Sequence, residues 1–116
     1  MVAQTELSDD EVDRIFRALA DTTRRDILRR TMAGEASVST LAADYDMSFA
    51  AVQKHVAVLE GAGLVTKHPH GRERIIRGNL DAITRAQRLL GGYEQIWRAR
   101  IGALDALLAL DDPSDT

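Results

Sequence analysis

Apolar positions recur along this chain in five blocks of helical spacing and two of strand spacing, with polar junctions between them. Ser8-Asp9-Asp10-Glu11 reads as a capping box, in which a serine and the glutamate three residues on satisfy each other's amides. Val12, Ile15, Phe16 and Leu19 then fall on one stripe. Asp21 is placed to cap a second helix that carries Ile27, Leu28 and Thr31 inward and stops at Gly34. Glu35-Ala36-Ser37 reads as a plain connection. Ser39 reads as the cap of a third, very short helix with Leu41, Ala42 and Tyr45 inside. After the tight junction at Asp46-Met47, Ser48 opens a fourth helix, residues 48–62. Its Val52, Val56 and Leu59 share a face, and Gly63 is a left-handed stop.

Two β-compatible runs follow, Leu64–His68 and Arg74–Arg77, joined by a longer loop, Pro69-His70-Gly71-Arg72-Glu73. From Leu80 to Leu110 helical spacing returns, with a break or bend predicted at Gly91-Gly92. Ile83, Leu90, Tyr93, Trp97, Ile101, Leu104 and Leu108 make one stripe, and Leu89, Ile96, Ala103 and Leu110 a second beside it. The sum is mainly α with a small β-hairpin, an α+β winged helix-turn-helix. Four helices, two strands and one long or two shorter helices make a single domain over 1–110, and a disordered acidic tail over 111–116.

Composition narrows the function. The chain has 116 residues and no cysteine, which removes disulfides, thiolate metal sites and thiol catalysis. The first twenty residues hold five acids and no continuous apolar run, and no stretch reaches the length of a membrane span, so a cytoplasmic protein is expected. A net charge of −3 argues at first against nucleic acid. The distribution argues the other way, because acids concentrate at the two ends and Lys54, Lys67, Arg72, Arg74 and Arg77 tip residues 39–79 to the basic side. No serine, histidine and carboxylate fall in a catalytic order, and the Asp9-Asp10 and Asp111-Asp112 pairs lie at a helix start and in the tail. An enzyme is therefore not expected.

Two short helices joined by a tight turn, the second feeding a hairpin, form a helix-turn-helix with a wing. Such a recognition helix aims its first residues at base edges in the major groove. Phe49, Ala50, Gln53, Lys54 and Ala57 lie away from the apolar face. Gln53 suits adenine, Ala50 or Phe49 a thymine methyl, and Lys54 guanine or a phosphate. Ser39, Thr40 and Ser48 are placed for phosphate contact, and Arg72 and Arg74 for the minor groove or backbone from a wing at 66–75.

The stretches FRALADTTRRDILRR and STLAADYDMSFAAVQKHVAVLEGAGLVTKHPHGRERIIR resemble the ArsR-type winged-helix repressors over roughly residues 12–80, although that family's usual proline after the aspartate is Thr22 here. YEQIWRARIGALDALL further resembles a metal-independent subgroup that includes the sporulation-delay-type repressors. The resemblance implies a homodimer built from the first and last helices. It would sit on pseudo-palindromic double-stranded DNA and block transcription. Ile15, Leu19, Ile83, Leu90, Tyr93, Trp97, Ile101, Leu104 and Leu108 would carry the dimer. Two adjacent stripes on the last helix support a partner independently, being more than one small domain needs, though which stripe faces the partner stays open.

The family's metal sites need cysteines on the third helix or a spaced Asp/His/Glu set on the last. Here those places hold STLAADY and only Asp81, Glu94 and Asp105, so neither a metal nor any other cofactor is expected. His55 reads as a packing residue, with base contact as its alternative, and His68 and His70 as solvated wing residues, with a chance metal pair or a pH-sensitive wing as theirs. Trp97 and Tyr93 read as core or dimer packing, with a ligand-pocket wall as the alternative. An inducer or partner protein is left open by the sequence. The competing class is a winged-helix interaction module that reads no DNA, favoured by the acidic net charge and by small Ala50 and Ala57 on the recognition face.

Overall fold

The computed structural model describes residues 7–110. The acidic tail expected over 111–116 lies outside them. Contacts divide the chain after Ala86 into two units, which are taken in turn.

The first unit begins with α1 (Asp9–Leu19). Its start is the expected box: Glu11 N–H donates to Ser8 Oγ at 3.2 Å and Ser8 N–H to Glu11 Oε1 at 3.0 Å. The Ser8 amide, and after it the Ser8 hydroxyl, hold the Glu11 carboxyl below its ordinary pKa. Asp21 caps α2 (Thr22–Ala33) by accepting the Arg24 amide at 3.0 Å. Thr22 stands at the first helical position, where any residue's amide is an orphan and proline is dispensable. Arg24 and Arg25 reach back to the carbonyls of Arg17, Ala18 and Leu19 at 2.6–2.9 Å. The last turn of α1 is thereby satisfied by cations, as its dipole prefers.

The connection expected at residues 35–37 is partly a strand, β1 (Ala36–Ser37), and Ser37, not Ser39, caps α3 (Val38–Ala43). Ser37 Oγ accepts the Thr40 amide at 3.0 Å. Two residues are too short a run to show alternation, which is why β1 escapes a reading by periodicity. α4 (Phe49–Gly61) follows its Ser48 cap, with the Ala51 amide donating to Ser48 Oγ at 3.1 Å. Gly63 then takes a φ of 75°, the left-handed residue expected there.

β2 (Val65–His70) and β3 (Glu73–Gly78) pair antiparallel, and β1 adds to the other side of β3. The wing is thus a three-stranded sheet in the order β1-β3-β2 rather than a bare hairpin. Its register sets His70 against Glu73, which leaves a turn of two residues, Gly71 and Arg72, where a longer loop was expected. Gly71, with φ 64°, supplies the positive dihedral that such a turn needs at its first position. Pro69 sits inside β2, opposite Arg74; the strand is at the sheet edge, where a missing donor is tolerated. Asn79 closes the sheet, its amide donating to Leu64 O and its side chain to Gly63 O, both at 2.8 Å.

The core gathers Ile15 and Ala18 of α1, Ile27 and Leu28 of α2, Val38 and Leu41 of α3, and Val52, Val56 and Leu59 of α4. Leu64, Val65 and Ile76 from the sheet and Ala82 and Ala86 from the last helix complete it. Burying each large side chain is worth about 1.5–3 kcal/mol relative to leaving it in water. Phe16, placed by periodicity on the inner stripe of α1, is instead exposed; Ala18 takes the inward position.

The last helix, α5 (Leu80–Leu110), is continuous, and Gly91-Gly92 do not break it. A helical glycine costs about 1 kcal/mol against alanine, a penalty that good helix formers on both sides can carry. In the second unit, from Gln87 onward, all the large apolar side chains except Leu89 are exposed.

Candidate nucleic-acid interface

α3, the turn 44–48 and α4 form the helix-turn-helix. Val52, Val56 and Leu59 are fully buried, which fixes the rotation of α4 about its axis and turns Ala50, Gln53, Lys54 and Ala57 outward. Phe49, at the first helical position, is 47% exposed. Ser39, Thr40 and Ser48 are also at the surface; the Thr40 amide and hydroxyl are engaged by Ser37, at 3.0 and 2.9 Å.

A polar cluster anchors the turn to α2. Tyr45 Oη donates to Asp26 Oδ2, Arg29 pairs with Asp26 at 2.6 Å, and Arg30 pairs with Asp44 at 2.6 Å while lying 5.5 Å from the centre of the Tyr45 ring. Hydrogen bonds from Tyr45 and then Arg29 hold the Asp26 carboxyl below its ordinary pKa, and burial, then the bond to Asp26, pushes the Tyr45 phenol up. Sequence reasoning took Tyr45 as an inward apolar residue and missed this cluster. The available signal was a half-buried phenol, which seeks a partner for its hydroxyl, facing an Asp and an Arg four residues apart on one helix. His55 does act as a half-buried packing residue. Its Nδ1 lies 3.4 Å from Arg24 Nη1 and 3.8 Å from Asp21 Oδ2, tying α4 to the start of α2.

The cations divide into two kinds. Lys67 is paired with Glu60 at 3.6 Å and Arg77 with Glu35 at 2.6 Å. Lys54 on α4 and Arg72 and Arg74 on the wing are exposed, and among the described residues no ion pair or side-chain hydrogen bond holds them. His68 Nε2 lies 2.8 Å from Thr66 Oγ1, and His70 is exposed. Among the described residues no group of three or more His, Cys, Asp or Glu could hold a metal ion, and no helix is long and apolar enough to cross a membrane.

The residues expected at a dimer interface fall into two sets. Ile15 is 1% exposed and belongs to the core of the first unit, against which Leu19 and Ile83 are partly buried, so the expectation of Ile15 as a contact surface is corrected. Leu90, Tyr93, Trp97, Ile101, Leu104 and Leu108 are exposed, as are Ile96, Leu107 and Leu110. Around Trp97 the surface holds only a shallow notch on a single helix, rimmed by Glu94, Arg98, Ile101 and Asp105 over Gly102.

The Helix-turn-helix domain family matches residues 14–68, from α1 into β2. The HTH-type transcriptional regulator Rv2034 of Mycobacterium tuberculosis is 40% identical over 95 residues, spanning 72% of this chain and 86% of that protein. The crystal structure of an ArsR family transcriptional regulator, RHA00566, superposes with a TM-score of 0.75 at 33% identity, over 80% of this chain and 96% of that one. The chain belongs to the ArsR family. It is a DNA-binding transcriptional regulator of winged helix-turn-helix fold and not an enzyme. A module that reads no DNA gives way to that assignment. The homodimeric winged helix-turn-helix DNA-binding domain of Mb0332 from Mycobacterium bovis shares the ArsR fold, with a TM-score of 0.61 at 24% identity over 77% of this chain and 89% of that one.

Proposed function

We propose that this ArsR-family regulator is a homodimeric repressor of the cytoplasm. It would grip a pseudo-palindromic operator with α4 in the major groove and the wing on the backbone or minor groove. The observation that carries this is the division among the cations. Among the described residues Lys54, Arg72 and Arg74 have no carboxylate partner, while Lys67 and Arg77 do. A free guanidinium or ammonium there releases counterions when it meets a phosphate, and that release supplies much of the affinity for a duplex. Ser39, Thr40 and Ser48 add hydroxyls at the same surface, and Phe49, Ala50 and Gln53 meet the bases.

The second copy is argued from α5. Trp97, 58% exposed, stands among eight other exposed large apolar side chains between Leu90 and Leu110, a patch of the kind that marks an interaction surface. The solved Mycobacterium bovis relative is a homodimer and sets the precedent. A two-fold dimer places two recognition helices about 34–36 Å apart, one turn of duplex, with folding and dimerisation carried by residues 1–110. The subgroup reading, a metal-independent repressor of the sporulation-delay type, rests on the YEQIWRARIGALDALL segment and on a chain without cysteine.

Binding of the purified chain to genomic duplex fragments, followed by fluorescence anisotropy across a salt series, tests the proposal. The triple variant Lys54→Ala, Arg72→Ala, Arg74→Ala is expected to lose affinity on every duplex and to flatten the salt slope by about three contacts' worth per protomer. Normal operator binding by that variant overturns the groove assignment.

A further inference from the structure

We infer that the regulator selects A·T base pairs by the C5 methyl group of thymine, with Phe49 as a specificity-determining residue; this rests on α4 being the base-reading helix. Phe49 is the one aromatic residue of α4 and follows the Ser48 cap directly. Phe49 is 47% exposed on the outward side of α4, so an occupant covering the open half would gain part of the about 1.5–3 kcal/mol that full burial of a phenylalanine is worth. The flanking charge says what kind. Lys54, Arg72 and Arg74, all unpaired, fit a polyanion and not an apolar peptide.

Within the major groove the choices are few. Every polar edge group there needs a donor or an acceptor, and a phenyl ring offers neither; the thymine methyl is the one apolar group presented. Ala50, exposed beside Phe49, adds a second methyl-sized contact. Gln53 lies one turn after Phe49 on the same flank and is also exposed. Its amide matches the N6 donor and N7 acceptor of adenine, the partner of that thymine. α4 carries no arginine, and its one lysine, Lys54, is the single side chain of the helix with the charge to read guanine. Aromatic ring, alanine and glutamine on one turn therefore read the same kind of base pair from both of its halves.

The experiment starts by selecting duplexes from a random pool on the full chain. Each thymine of the selected site is then replaced by uracil, which removes the methyl and leaves the hydrogen-bonding edge unchanged. One or two thymines per half-site are expected to lose three- to fivefold in affinity, the worth of about one buried methyl. Phe49→Ala is expected to bind thymine and uracil versions of those positions alike, and Phe49→Leu to keep part of the discrimination. Phe49 is half buried, so Phe49→Ala is expected to melt a few degrees below the parent while staying folded, and binding is compared well below both midpoints. If uracil is neutral at every position while the selected site is still bound tightly, methyl reading is wrong and the groove reading stands. If Phe49→Ala retains the full preference for thymine, the residue assignment fails. If no sequence is enriched at all, the reading of α4 as the base-contacting helix falls, and this inference with it.

Discussion

The body of the chain up to Ala86 and the length of α5 beyond it carry apolar residues at the same helical spacings, yet they spend them in opposite ways. In the body, Val52, Val56, Leu59 and their neighbours are sealed inside one core. On α5 from Leu90 to Leu110 the large apolar side chains are open to solvent. Periodicity reports that a face exists; it does not report whether the same chain or another molecule covers it. The contrast gives folding stability to the body and, in the proposed dimer, leaves self-association to the far part of α5.

Substitutions can break that contrast directly. Leu59→Ala should cost about 2–5 kcal/mol of folding stability by urea titration, because the cavity it opens is bounded by buried neighbours. Trp97→Ala should act on assembly instead. A central aromatic anchor is worth about 2 kcal/mol or more, so sedimentation should show the dimer dissociating at higher concentration. The parent's unfolding midpoint should rise with protein concentration, and that dependence should weaken in the variant.

Gly78→Ala is expected to cost about 1–3 kcal/mol, again in the body alone. A Cβ there would come within 2.1 Å of Met32 Sδ and 3.0 Å of Met32 Cα, and the backbone atom cannot swing away as the thioether can. Pairing the change with Met32→Ala should recover only part of the loss in thermal melts.

The smallest expected effect is the pH dependence of the Tyr45–Asp26 contact. Asp26 titrates below its ordinary value when folded, so its contribution is present above that ordinary value and lost as pH falls through the folded one. Tyr45 titrates above its ordinary value, so its contribution holds below that and fades as pH rises through the raised value. Stability measured against pH should therefore sag at both ends. Asp26→Asn should flatten the acid limb by under about 1 kcal/mol, since the carboxylate is partly solvated.

Much of this was legible before any coordinates. The caps at Ser8, Asp21 and Ser48, the stop at Gly63 and the inward face of α4 all rest on local rules, and local rules suffice where each residue's partner is three or four positions away. What escaped depended on distant partners. β1 exists because Ala36 and Ser37 meet Ile76 and Ile75, some forty residues on. Pro69 joins a strand because β2 lies at an edge, a fact about the sheet and not about proline. Phe16 is open and Ala18 sealed for the same reason, since a helical stripe is wider than the patch its neighbours cover. In the candidate interface the residue types were readable, but the sorting of cations into neutralised and free needed Glu35 and Glu60 in place.

Ser37 ends β1 and begins α3 in the same residue, and it is buried there. Sheet and helix-turn-helix are consequently joined through a single residue, with no linker between them. From Ile75, the register partner of Ser37, to the turn at Gly71 is an arm of about 13 Å along an extended strand. If Arg72 holds a phosphate as proposed, the load would fall on the end of that arm and pass through Ser37 to the first turn of α3. Under the proposed contact, the wing would be a lever for seating the recognition unit as well as a second handhold.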